Sequence, residues 1–206
     1  KEIVQTFLGT NYSGIELGSD RLYVTAHDGK IHVYDSTNPL NLTHLSSAIT
    51  TTNGFTPALA GDHLFVADLE DGLTVIDINQ TPTPIHVEPT VGGAQDLAIS
   101  ENEEAAYVAV GSEGIEIFDI TNPSNPVSIG TLSLQHTVLS VDVDGDILWA
   151  ASQKDLIAID VSVPLQPVLI NTEETDQWAM SVVGIGGKAY VADWGYVSRY
   201  ERMPEA

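Results

Sequence analysis

The chain contains no cysteine, so no disulfide or thiolate metal site is open to it, and its fold must rest on packing and hydrogen bonds alone. Cations are nearly as scarce. Seven Lys and Arg face 29 Asp and Glu, for a net charge of −22 and a pI near 4.1. That imbalance repels phosphate backbones and anionic membranes, which removes nucleic acid from the expected partners. It suits salty or calcium-containing surroundings, where counter-ions screen the self-repulsion. No stretch approaches the roughly 18 consecutive apolar residues of a membrane span, so membrane insertion is not expected. No helix-length window sustains a 3.6-residue period. The Gly-x-Ser-x-Gly elbow, the phosphate-binding Gly-Lys loop and the dinucleotide Gly pattern are all missing, and the six histidines lie scattered without zinc spacing. Opening at Lys1 rather than Met, the sequence reads as a mature or excised piece.

What is present is a repeat of about 42 residues. Asp35, Asp77, Asp119, Asp160 and Glu201 mark five copies, spaced 42, 42, 41 and 41 apart. Each copy holds an apolar segment (LYVTA, LFVAD, AYVAV), a Gly- or Asp-containing turn and a second apolar segment (IHVYD, LTVID, IEIFD), the signature of a β-hairpin. A weaker strand precedes each hairpin, and in the first four copies another follows a Pro turn. The middle strands, such as Leu73 to Ile76 and Leu156 to Ile159, are apolar on both sides, which implies sheets sandwiched between neighbouring sheets. Four strands at this period predict an all-β, five-bladed β-propeller of four-stranded blades. One domain spans 1–206, with repeats at 11–52, 53–93, 94–136, 137–177, and 178–206 plus 1–10. The fifth copy stops after its third strand, and residues 1–10 read like the missing outer strand, so the N-terminal strand is expected to close the last blade.

Copies two and three, through Val75-Ile76-Asp77 and Ile117-Phe118-Asp119-Ile120-Thr121-Asn122-Pro123, resemble the LVIVD-repeat family. Copy five departs from the pattern, with Arg199 where the others have Val33, Val75, Ile117 and Ala158, and with Glu201 for Asp. The resemblance implies a propeller of secreted or cell-surface proteins, often one module of a longer chain, and it implies no reaction. The expected role is therefore non-catalytic binding or scaffolding in an extracellular or cell-envelope protein, as a monomer or a module of a longer chain.

The repeated turn acids read as architecture, because an Asp leading into a Thr-Asn-Pro turn accepts hydrogen bonds from the next backbone amides. Ligand contacts are expected on the face that gathers the hairpin loops and the loops before each first strand. There Tyr12, His136, Trp178 and Trp194 are the candidate binding residues, suited to a protein or glycan partner. Asp68, Glu70 and Asp71 place three carboxylates in a turn before Gly72 and are the candidate ligands for Ca²⁺, with no other cofactor expected. Two rival readings follow: a calcium-dependent adhesin or lectin, and a glycoside hydrolase using Glu16, Asp96 and Asp142 near the axis. Glu16 and Asp142 align with Ala58, Ala98 and Gly184 in the other copies.

Overall fold

Alternating apolar segments and Gly- or Asp-containing turns fold into hairpins, and each hairpin gains a strand at its flank. The structure is a computed structural model that describes residues 12–49, 53–79 and 83–201. Blade one is β1 (Tyr12–Leu17), β2 (Arg21–Ala26), β3 (Lys30–Asp35) and β4 (Thr43–Ile49). Blade two is β5 (Gly54–Ala60), β6 (His63–Asp68), β7 (Gly72–Asp77) and β8 (Pro84–Glu88). Blade three is β9 (Asp96–Ile99), β10 (Ala105–Ala109), β11 (Ile115–Asp119) and β12 (Val127–Leu132). Blade four is β13 (Val138–Asp144), β14 (Ile147–Ser152), β15 (Asp155–Asp160) and β16 (Val168–Glu174), and blade five is β17 (Ala179–Ile185), β18 (Lys188–Asp193) and β19 (Tyr196–Glu201). All five are antiparallel meanders in chain order. Their first strands adjoin in sequence, β1 on β5, β5 on β9, β9 on β13 and β13 on β17, which is a propeller arrangement. The expected fourth strand of blade five, residues 1–10, lies outside the described residues.

The core sits between blades rather than within them. Tyr23, Ile31 and Val33 of blade one pack on Leu64, Val66 and Ile76 of blade two. Phe65, Leu73 and Val75 continue onto Ala106, Val108 and Phe118. Tyr107, Ile115 and Ile117 meet Leu148, Ala150 and Ile159, and Trp149, Leu156 and Ala158 meet Ala179, Ala189 and Val191. Alternation along each middle strand sends one set of side chains to the preceding blade and the other to the following one. Burying an aromatic or branched aliphatic side chain in this way contributes about 1.5–3 kcal/mol.

Two backbone devices recur. Between the third and fourth strands of the first four blades a bulge falls at one register, at Val33/Tyr34, Val75/Ile76, Ile117/Phe118 and Ala158/Ile159, turning the outer strand away. The turn acids then accept amides two residues on, from Thr37, Asn79, Thr121 and Ser162, each at 2.9 Å. The Thr37 and Thr121 hydroxyls also donate to Asp35 and Asp119, and with the amides they hold both carboxyls below the usual range. The architectural reading of these acids is what the structure contains.

Blades four and five approach closely at Gly184. A Cβ there would lie 2.6 Å from Trp149 Cδ1 and 2.8 Å from Asp144 Cβ, and the buried indole has little room to yield. Gly184→Ala should therefore destabilise the protein by about 1–3 kcal/mol, read as a lower urea midpoint; an unmoved midpoint would contradict this packing.

Candidate functional site: the loop face and the channel

Main-chain hydrogen bonds place the hairpin loops beside the loops that lead into the first strands. Leu69 N donates to Asn53 O at 3.3 Å, Gln153 N to Thr137 O at 3.1 Å and Trp194 N to Trp178 O at 3.1 Å. In blade five this link brings two indoles together, edge to face, with ring centroids 6.1 Å apart and planes at 85°. Trp178 is 49% exposed and Trp194 71%, and with Gln177 they line an open groove of about 300 Å³. Asp193 shapes the turn beneath, its Oδ1 accepting from Tyr196 N at 2.9 Å. Gln177, a polar neighbour of both rings, escaped the sequence reading because no pattern marks it.

The other two predicted binding residues sit elsewhere. His136 Nδ1 lies 2.5 Å from Asp155 Oδ2 in blade four. Tyr12 belongs to an aromatic cluster of blade one, its hydroxyl 3.4 Å from that of Tyr34 and its ring edge-on to His32 at 6.0 Å. Of the four, the tryptophans are the pair in ring contact.

Asp68, Glu70 and Asp71 share a turn but not an orientation. Asp68 is buried, and its Oδ1 accepts from Asn53 N at 2.9 Å, whereas Glu70 points to solvent. Among the described residues no three His, Asp or Glu side chains converge on a point where an ion could sit. Thermal unfolding in millimolar CaCl₂ and in EDTA, at matched ionic strength, should give the same melting temperature. An upward shift with calcium would instead mean that the folded protein holds the cation, with this turn the first place to mutate.

The central channel encloses about 680 Å³ and is lined in part by Glu16, Asp96 and Asp142. Each carboxylate reaches the following blade: Glu16 Oε1 accepts from Leu59 N (3.2 Å), Asp96 Oδ2 from Val141 N (2.9 Å) and Asp142 Oδ2 from Gly184 N (2.7 Å). Strand register corrects one alignment, since Val183, opposite Tyr190, is the counterpart of Asp142 opposite Trp149, and Gly184 supplies the amide that Asp142 accepts. Burial pushes all three carboxyls above the ordinary range, against the opposing pull of these amides.

A native carboxyl pKa raised above its unfolded value of about 4 means that the folded chain binds more protons in that window. Stability should therefore be greatest on the acid side of neutrality and decline as pH rises through the raised values. Asp96→Asn keeps an acceptor oxygen and removes the charge, so it should flatten this decline. Asp96→Ala strands the Val141 amide and should cost about 1–3 kcal/mol at every pH. Urea midpoints from pH 4 to 8 measure both, and a parallel decline in Asp96→Asn would refute the assignment.

The LVIVD repeat profile matches residues 58–88, 91–133 and 137–175, more than half of the chain. The chain belongs to the LVIVD-repeat family. No curated protein matches it in sequence. The LVIVD blades are similar in fold, over 97% of this chain and at 12% identity, to a chain in a crystal structure of a mitotic checkpoint complex, with a TM-score of 0.79. They cover 63% of that chain, so this protein spans under two thirds of its length. A functionally unknown protein from Desulfotomaculum acetoxidans DSM 771 is similar over 97% of this chain and 68% of its own, at 14% identity and a TM-score of 0.82. At such identities the likeness is one of fold alone.

Proposed function

We propose that this LVIVD chain is a non-catalytic binding module that holds a protein or glycan on its loop face, with Trp178 and Trp194 as the principal contacts. The observation that carries the reading is the exposed edge-to-face tryptophan pair fixed by a main-chain hydrogen bond. Large aromatics left in solvent on a rigid support offer contact area at little cost in conformational entropy. The role of Glu16, Asp96 and Asp142 as amide acceptors between blades supports a scaffold over a hydrolase. The net charge of −22 suits a salty extracellular or cell-envelope setting, the localisation that goes with this proposal.

Binding should quench the indole fluorescence. Titration with soluble oligosaccharides and with unstructured peptides of either charge separates the two partner classes. Trp194→Ala should weaken whichever ligand binds by about tenfold or more, the loss typical of an aromatic hot spot, while leaving the melting temperature unchanged. Retained affinity in both Trp194→Ala and Trp178→Ala would place the ligand elsewhere.

A further inference from the structure

One repeat position carries an aromatic ring in every blade: Tyr23, Phe65, Tyr107, Trp149 and Tyr190. The first four are 3%, 0%, 0% and 3% exposed, each covered by the following blade, whereas Tyr190 is 38% exposed. The residue two positions before the cross-strand partner of each aromatic repeats the contrast. Ile31, Leu73, Ile115 and Leu156 are at most 3% exposed, and Val197 at the same position is 76% exposed. Val183 and Ile185 of β17 continue this apolar face into solvent.

No packing comparable to the four contacts between successive first strands joins β17 to β1, and Ile15 and Leu17 of β1 are likewise exposed. At the Tyr190 and Val197 positions the face repeats the surface that stacks blades one to four on their successors. It differs in carrying Arg199 at the position of Val33, Val75, Ile117 and Ala158, with Lys188 nearby, in a chain that has seven cations. Glu201 of the same sheet lies 3.6 Å from Lys188 Nζ and 3.8 Å from Arg199 Nη2, and a covering sheet of this acidic repeat type would add further carboxylates around those two charges. The similar structures accommodate these five blades within 63% and 68% of their chains, which agrees with an arc that continues.

We infer that the outward face of blade five is a stacking surface for a sixth blade of the same repeat, supplied by the same polypeptide, so that the five blades form an arc of a larger ring. The occupant brings a small or β-branched residue into the cluster around Tyr190, as Val66, Val108, Ala150 and Val191 share the clusters of the four buried aromatics. Closure of a five-blade ring by residues 1–10 is the competing arrangement.

To test this, residues 202–206 are replaced by a copy of residues 120–177, which supplies an outer strand for blade five and one further complete blade. A second version uses residues 78–136. Tyrosine nitration by tetranitromethane, read by mass spectrometry, reports access to Tyr190, and hydrogen exchange reports whether the added blade folds. Rapid nitration of Tyr190 is expected in the original chain, with protection of about tenfold or more in the extended chains, as for a side chain moved from an open face into a stacked one. Val197→Lys should abolish that protection without lowering the melting temperature of the original chain.

Three results would overturn the inference. Tyr190 already protected in a monomeric original chain means that the ring is closed. Protection that rises with protein concentration assigns the face to a second copy. Added blades that stay unfolded in both versions, or fold without shielding Tyr190, show that the face does not template a blade.

Discussion

The stacking of each blade on its successor, which buries both faces of blades two to four, is the constraint on which the rest of this structure depends. A single four-stranded meander whose middle strands read Leu-Phe-Val-Ala and Leu-Thr-Val-Ile has no interior of its own. It becomes stable when a neighbour covers each side, so the cooperative unit is the blade pair. Stability in such an array is close to a sum over neighbouring interfaces. The bulge between third and fourth strands, the turn acids and the aromatic at one fixed position all preserve the shape of that interface from copy to copy.

Electrostatics is fitted into this frame. A chain with 29 acids cannot keep every carboxylate fully hydrated once blades stack. Those at the axis, Glu16, Asp96 and Asp142, are turned to use, each accepting an amide of the next inner strand. Desolvation raises their pKa values, so they tie blades together at some cost in charge burial. Those at the opposite turns stay hydrated and are held in their ionised form by Thr37 and Thr121.

Much of the fold was legible because its two strongest signals are local: a fixed period, and middle strands apolar on both sides. The turn acids were legible for the same reason, since donor and acceptor lie two residues apart. Trp194 could be singled out as an aromatic in a hairpin turn where the other copies have polar residues or Leu69. Its contact with Trp178 depends on one backbone hydrogen bond across 16 residues, which no pattern encodes. The inward turn of Asp68 toward Asn53 and the pairing of His136 with Asp155 depend on register between loops. The axial place of the channel acids was legible, but their amide partners were not, because these lie 42 to 45 residues away on the following blade.

The main-chain tie between the loops has an evolutionary consequence. It joins Trp194 N to Trp178 O, Gln153 N to Thr137 O and Leu69 N to Asn53 O without using a side-chain atom. Substitution at either end therefore leaves the support standing. The rim of the disc behaves as a set of interchangeable sockets, in which new ligand preferences can be sampled by drift while the ring beneath pays no structural penalty.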